Sequence, residues 1–166
     1  MPILVGDKLP EAILRRSGLL GPEETSISSL TAGRKVVIFG LPGAYTSTCS
    51  ASHVPSFMRT KDQFASKGVA EIICVSVNDV FVMKEWGEST GARAAGISMW
   101  AVPVSEFSKA IGKNFSAPIV GFVERSSRYA MLVENGTVTI LNEEVATGVC
   151  DLTAGEGLLD AMMEHY

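Results

Sequence analysis

Short apolar runs along the chain alternate with stretches in which apolar residues recur every three or four positions. The runs 35–39 and 71–77 are β-branched and apolar, which predicts two buried strands. The stretch 47–67 between them has helical spacing, and its apolar face consists of Val54, Phe57, Met58 and Phe64. Pro55 lies inside this helix and should kink it or displace its first turn. A crossover helix between two strands implies a right-handed parallel pair.

The second half of the chain predicts three more helices. Aspartate is a favoured N-cap residue, so Asp79 predicts the start of a helix over 80–90. After an extended stretch at 97–104, Ser105 is placed to cap a short helix over 106–111. A last helix follows Thr153, and its apolar positions, which belong in the core, are Leu158, Leu159, Met162 and Met163.

Antiparallel strands are expected at both ends of the chain. Asn135-Gly136 separates the strand-like runs 128–133 and 137–141, and Asn-Gly in this setting strongly indicates a hairpin. A second hairpin is expected before the strand at 35–39. Parallel and antiparallel pairs together predict an α/β fold, with a mixed central sheet flanked by helices. No linker or repeat divides residues 1–166, so one domain is expected.

Composition and charge exclude several classes of protein. Hydrophobic residues make up 46% of the 166 residues and charged residues 19%, which is incompatible with general disorder. The formal charge of −4 lacks the basic excess of a nucleic-acid binder. The apolar runs are too short to span a bilayer, and the first residues do not form a secretory or transit signal. A cytoplasmic protein without membrane or nucleic-acid partners is therefore expected.

The three cysteines carry most of the chemical information. Cys49 falls where the helix at 47–67 begins, so free backbone N–H groups and the helix dipole there favour thiolate over thiol. Thr46 is placed to donate a hydrogen bond to the sulfur, and Pro42 to shield the sulfur from water. This arrangement predicts nucleophilic attack by a thiolate. An ordinary buried cysteine is the alternative interpretation, and the absence of C-x-x-C disfavours dithiol exchange.

The pattern Pro42-x-x-x-Thr46-x-x-Cys49 resembles the active-site signature of the peroxiredoxins. The wider stretch 39–57 resembles the type II, or peroxiredoxin-five-like, subfamily, and the likeness continues through 74–86, 125–131 and the Asn135-Gly136 hairpin. The resemblance implies a thioredoxin-like fold and the reduction of hydrogen peroxide and alkyl hydroperoxides, with peroxynitrite as a further substrate. A cysteine sulfenic acid is the implied intermediate.

Individual positions take roles from this resemblance. Cys49 matches the cysteine that attacks the O–O bond, Thr46 the residue that hydrogen-bonds thiolate and peroxide, and Pro42 the shielding residue. Arg128 matches the arginine beside the sulfur, where a fixed guanidinium would stabilise the thiolate and polarise the peroxide. Arg125 is the second choice for that arginine.

A sulfenic acid must be resolved by another thiol, and the sequence leaves three routes open, of which the route through Cys74 is preferred slightly to the one through Cys150. Cys74, in a predicted buried strand, matches a position where type II enzymes often carry a second cysteine. Cys150 lies in a predicted loop, with its spacing shifted by one residue from the family pattern. In the third route an external thiol attacks the sulfenic acid directly. Because a disulfide requires nearby Cα atoms, pairing of Cys74 with Cys49 would require the helix start to rearrange.

The remaining expectations concern cofactors and partners. No cofactor is expected beyond an external reductant, which is thioredoxin or glutathione with glutaredoxin, and a homodimer is implied by the resemblance. The Cys49-x-x-x-His53 spacing occurs in some metal sites, but no paired ligands complete one, so no metal is expected. A noncatalytic redox relay or a holdase-like module is the alternative function.

Overall fold

The computed structural model describes residues 2–165. Its main sheet has seven strands, which are β1 (Ile13–Gly18), β2 (Gly21–Ser26), β3 (Lys35–Leu41), β4 (Glu71–Ser76), β5 (Ser98–Ala101), β8 (Tyr129–Glu134) and β9 (Thr137–Glu143). A separate small hairpin joins β6 (Asn114–Ala117) to β7 (Phe122–Ser126). The helices are α1 (Ile27–Thr31), α2 (Val54–Ser66), α3 (Val80–Ser89), α4 (Glu106–Ala110) and α5 (Gly155–His165).

The main sheet is mixed, as the sequence predicted. Its strand order is β2-β1-β5-β4-β3-β8-β9, with β3, β4 and β5 parallel at its centre. Antiparallel strands extend the sheet on both sides, since β8 pairs with β3 and β1 pairs with β5. The N-terminal hairpin expected before β3 is the β1–β2 pair. The loops that follow β3 and β4 therefore emerge at the same edge of the sheet.

Side chains of β3 alternate between two hydrophobic layers, as strand geometry requires. Val37 and Phe39 point into a layer that contains Phe57 of α2, Trp86 of α3 and three residues of α5, which are Leu158, Leu159 and Met162. Val36 and Ile38 point into the opposite layer with residues of α4 and β8. Helices thus cover both faces of the central strands.

Local signals predicted several boundaries well. The Asp79 carboxylate accepts hydrogen bonds from the Phe81 and Val82 amides, which caps α3. Asn135 and Gly136 have φ of 49° and 78°, the two positive values of the tight hairpin turn that Asn-Gly favours. No helix in residues 2–165 has both the length and the apolar character needed to cross a membrane.

Three local expectations were wrong. Only Ser98–Ala101 of the stretch 97–104 is a strand. Ser105 stands before α4, but its φ of 62° turns the side chain away from a capping bond, and its hydroxyl is buried. Met163 is 67% exposed, because α5 packs through the neighbouring Met162 instead. The β6–β7 hairpin was not predicted.

Candidate active site

Cys49 lies where strand β3 passes through a tight loop into a helix. The chain becomes helical at Ser47, and the five residues Cys49–His53 form a π-helical turn that runs directly into α2. Pro55 stands in the first turn of α2 and has no N–H to continue the regular hydrogen-bond ladder. A widened π turn before such a break is a common outcome. The predicted displacement of the first turn is therefore observed.

The sulfur of Cys49 is fully buried and contacts a buried cation. Nη2 of Arg128 donates to Cys49 Sγ at 3.3 Å, and Arg128 itself is only 2% exposed. The strand register explains this contact: Tyr129 pairs with Gly40, so Arg128 lies at the sheet edge from which the loop to Cys49 emerges. Sequence reasoning preferred Arg128 to Arg125, and the structure brings Arg128 to the sulfur.

The other partners of Arg128 are neutral. Its Nη1 lies 2.8 Å from His53 Nδ1, and its Nη2 also donates to the Thr147 carbonyl at 2.9 Å. The ion pairs found in residues 2–165 do not include Arg128. A buried cation without a carboxylate favours a negative charge on the atom that it contacts, which here is the sulfur.

His53 is buried between Arg128 and the segment 144–154, which carries Cys150. Its Nε2 lies 3.0 Å from the Thr153 carbonyl, and its ring packs against Phe39 and Phe57. Burial, together with the Arg128 charge, holds the pKa of His53 well below its usual range. The ring is therefore neutral, with the proton on Nε2 donated to Thr153 and Nδ1 accepting from Arg128.

The loop between β3 and the helix holds Pro42 and Thr46 at a small cavity. Pro42 is buried, and its carbonyl accepts a hydrogen bond from Arg125 Nη1 at 3.1 Å. The Thr46 hydroxyl donates to the Gly43 carbonyl at 2.8 Å, rather than to the sulfur as the sequence suggested. Pro42, Thr46 and Arg128 line a cavity of about 200 Å³, whose other walls include Val120 and Phe122.

The two other cysteines occupy different environments. Cys74 is fully buried in the central strand β4, in register with Phe39 of β3. Burial raises the pKa of the Cys74 thiol well above its usual value, and the nearby Cys49 raises it further. Cys150 is half-buried outside regular structure, and burial raises the pKa of its thiol as well.

The segment 144–154 is held over the active-site helix by a few hydrogen bonds. Thr48 donates from its hydroxyl to the Gly148 carbonyl at 3.1 Å. The Glu144 carboxylate accepts from the Asp151 amide and from both the amide and the hydroxyl of Thr153. The tip is otherwise exposed and irregular. The segment is thus anchored at its base and touches the active site near its tip.

Sequence reasoning did not foresee these contacts of His53, Thr147 and Thr153. The spacing Cys49-x-x-x-His53 was a usable signal, since it places the imidazole one turn beyond the sulfur. The Thr147 and Thr153 contacts use backbone carbonyls, which no side-chain pattern reveals. Within residues 2–165 no cluster of three histidine, cysteine or acidic side chains is positioned to hold a metal ion.

Comparisons with known proteins match this geometry to one family. The Redoxin family model matches residues 4–155. Peroxiredoxin-2E-2, chloroplastic, of Oryza sativa subsp. japonica is 40% identical over 164 residues, covering 96% of this chain and 72% of the relative. Peroxiredoxin-2C of Arabidopsis thaliana is 39% identical over 162 residues, covering 97% and 99%. The crystal structure of reduced Prx3 from Vibrio vulnificus in complex with H2O2 is 42% identical, with a TM-score of 0.89 and coverage of 96% and 99%.

Proposed function

Because the chain belongs to the Redoxin family and is a peroxiredoxin, a thiol-dependent peroxidase, we propose that Cys49 is the residue that attacks the peroxide. The Cys49 thiolate attacks the terminal oxygen of the peroxide, so an S–O bond forms as the O–O bond breaks: the sulfur is oxidised to a sulfenic acid, and the leaving oxygen keeps both electrons of the O–O bond and takes up a proton to become water or an alcohol. The observation that supports this role best is the contact of Arg128 with the sulfur at 3.3 Å.

We propose that Arg128 and Thr46 stabilise the charge that moves onto the leaving oxygen. Arg128 is already fixed by His53 and Thr147, so it needs no reorganisation during the reaction. The Thr46 hydroxyl lines the same cavity and can rotate from the Gly43 carbonyl to a bound peroxide. Pro42, buried beside the cavity, would keep bulk water from the sulfur.

A peroxide-consumption assay with a thiol reductant tests the role of Cys49. Cys49→Ser should lose the thiol-dependent rate completely, while Cys74→Ser and Cys150→Ser should keep the first reduction of peroxide. The single-turnover rate separates this step from regeneration. If Cys49→Ser consumes peroxide as fast as the parent, the attacking residue lies elsewhere. A parent that is oxidised but never turns over would favour the redox-relay alternative.

We also propose a subtype and a substrate range for this enzyme. The motif around Pro42, Thr46 and Cys49 supports a type II, peroxiredoxin-five-like enzyme. Val120 and Phe122 give the cavity of about 200 Å³ an apolar wall, which suits alkyl hydroperoxides as well as hydrogen peroxide. Second-order rate constants for hydrogen peroxide, tert-butyl hydroperoxide and peroxynitrite would rank these substrates. A rate with hydrogen peroxide alone would contradict the broader range.

For resolution of the sulfenic acid we place Cys150 ahead of Cys74. Cys150 lies in the irregular segment 144–154, whose Thr147 and Gly148 already touch the active site. Cys74 lies in a central strand, so its route to Cys49 requires more of the fold to open. Mass spectrometry after one equivalent of peroxide should show a Cys49–Cys150 bridge. A Cys49–Cys74 bridge or a glutathione adduct on Cys49 would assign resolution to those routes instead.

The reductant, assembly and location of the protein are further proposals. Thioredoxin, or glutathione with glutaredoxin, would regenerate Cys49, and comparing turnover with each system decides between them. A homodimer is proposed from the family resemblance, and sedimentation at several concentrations tests it. A cytoplasmic location is proposed from the sequence, although the relatives include chloroplastic and mitochondrial proteins.

A further inference from the structure

The arginine that contacts the sulfur depends on one neutral side chain for its placement. Arg128 Nη1 donates to His53 Nδ1 at 2.8 Å, whereas the other hydrogen bonds of its guanidinium are shared at Nη2 between Cys49 and Thr147. The Nε atom of Arg128 is buried and has no hydrogen-bond partner among residues 2–165. The planar guanidinium is therefore oriented from its two terminal nitrogens, and His53 is the partner of one of them.

His53 is itself fixed on every side. The Thr153 carbonyl holds its Nε2 at 3.0 Å, and the rings of Phe39 and Phe57 lie at centroid distances of 4.8 and 5.7 Å. The charged and titratable groups around this cluster are Arg128 and Cys49, together with Cys74, Cys150 and Glu144. With Thr153 accepting at Nε2, only the neutral tautomer leaves Nδ1 free to accept from Arg128.

We propose that His53 is a positioning residue for peroxide reduction: it fixes the Arg128 guanidinium against the Cys49 sulfur and ties that arginine to the Thr153 carbonyl. The proposal rests on the attack by Cys49 proposed above. It adds a continuous chain of contacts, which runs from the segment 144–154 through the imidazole and the guanidinium to the sulfur. Small displacements of a reacting or charge-stabilising group lower the rate constant strongly. Loss of the contact between His53 and Arg128 should therefore cause a measurable loss of rate.

Two substitutions at position 53 separate the link from simple packing. His53→Leu fills the site with an apolar side chain of similar size but offers Arg128 no hydrogen-bond acceptor. His53→Asn places an amide oxygen the same number of bonds from the backbone as Nδ1, so it can still accept from Arg128. We expect the rate constant for hydrogen peroxide to fall about tenfold or more in His53→Leu and to recover in part in His53→Asn.

Ser56→Ala is the matched control. Ser56 is buried one turn further along the same helix; its hydroxyl accepts from the Gly155 amide at 2.9 Å and donates to the backbone carbonyl of His53, not to its imidazole. It thus anchors the region of Gly155 without touching Arg128. Ser56→Ala should leave the rate constant within about twofold of the parent, which is small against the loss that a misplaced reacting group causes.

Alkylation of Cys49 by iodoacetamide gives a readout that does not depend on peroxide chemistry. If Arg128 shifts away from the sulfur, the pH profile of Cys49 alkylation should differ between His53→Leu and the parent, because the guanidinium next to the sulfur would then be lost. The plateau rate at high pH should stay unchanged, since access to the sulfur is the same. Peptide mapping assigns the label to Cys49.

These outcomes decide the proposal. A folded His53→Leu protein with the parent alkylation profile and peroxide rate would overturn it, and so would equal losses in His53→Leu and Ser56→Ala. If His53→Leu does not fold, His53→Asn still decides. A His53→Asn rate no better than that of an Arg128→Leu protein would mean that an acceptor at position 53 does not hold Arg128 on the sulfur, which contradicts the proposal. Absence of peroxide turnover in the parent would refute the proposed function, while the alkylation profiles would still test the role of His53.

Discussion

At the scale of single residues, the Arg128 guanidinium provides three directed contacts that a lysine cannot reproduce. Its two terminal nitrogens reach Cys49, His53 and Thr147 together, whereas an ammonium on a flexible stem is a point charge. We expect Arg128→Lys to lower the second-order rate constant for hydrogen peroxide about 100-fold, the usual cost of losing one donor to a developing oxyanion. Stopped-flow oxidation of Cys49 measures this constant directly.

Arg125→Lys is the control for that substitution. Arg125 makes one hydrogen bond to the Pro42 carbonyl, which a lysine can also make, so the loss should be much smaller. Equal losses in the two lysine variants would mean that the active-site loop, rather than the guanidinium on the sulfur, limits the rate.

The buried His53 also makes stability depend on pH. Its pKa in the folded protein lies well below the usual value of about 6.5, so the unfolded chain binds a proton that the folded one excludes. The contribution of the neutral His53 ring to the free energy of unfolding is present in full above about pH 6.5. It is lost as the pH falls below that value, by up to about 1.4 kcal/mol per pH unit. Urea unfolding of the parent between pH 7.5 and 5 should show this loss.

His53→Asn isolates the contribution of the imidazole, because asparagine does not titrate in this range. The free energy of unfolding should fall less steeply with decreasing pH in that variant than in the parent. Parallel curves for the two proteins would show that His53 takes up its proton equally in the folded and unfolded states.

Much of the candidate site was predictable because its chemistry lies in side chains with local spacing. Pro42, Thr46 and Cys49 share one loop, and Arg128 follows from the resemblance. The present bond of Thr46 to the Gly43 carbonyl was not predictable, because a hydroxyl chooses among nearby acceptors only in the folded loop. The contacts of the Thr147 and Thr153 carbonyls could not be predicted, because backbone carbonyls are the same in every residue and leave no pattern of side chains.

At the scale of elements, α2 and α5 approach closely at one glycine. A Cβ on Gly155 would lie 2.6 Å from the Ser56 carbonyl oxygen, and it would also collide with the Thr60 hydroxyl. Because the backbone of α2 cannot yield easily, we expect Gly155→Ala to destabilise the protein by about 1–3 kcal/mol, the usual cost of overpacking. Urea denaturation measures the change.

Gly148→Ala serves as the control for this packing. Gly148 lies on the exposed segment 144–154, and a Cβ there would meet no atom of the described part of the chain within 4 Å. Its effect on the free energy of unfolding should therefore stay within about 0.5 kcal/mol. A Gly155→Ala protein as stable as the parent would mean that the two helices separate at little cost.

The sequence predicted elements best where local signals and hydrophobic period agreed. Strand β3, helix α3 with its Asp79 cap and the Asn135-Gly136 turn all satisfy both conditions. Ser105 failed as a capping side chain because its left-handed backbone was not visible in the pattern. Met163 failed as a core residue because α5 buries Leu158, Leu159 and Met162, and Met163 lies beside this buried stripe, on the exposed side of the last turn.

At the scale of the whole molecule, Cys74 and Cys150 should report two different openings of the fold. Cys74 lies in β4, and its side chain packs in the hydrophobic layer beneath α2 and α3, so it becomes accessible only when that layer opens. Cys150 belongs to an irregular segment held by a few hydrogen bonds. In a Cys49→Ser background, Cys74 alkylation should follow global unfolding and accelerate steeply with urea, whereas Cys150 alkylation should proceed in buffer with little dependence on urea.

The same measurement bears on how the sulfenic acid is resolved. If Cys74 is protected as strongly as the global free energy of unfolding allows, the layer that covers Cys74 does not open locally, and Cys150 becomes the kinetically accessible partner. Alkylation of Cys74 in buffer at a rate near that of Cys150 would contradict this expectation. It would show that β4 opens locally, and the π-helical turn next to Pro55 would then be the place where the Cys49 end of such a bridge unwinds.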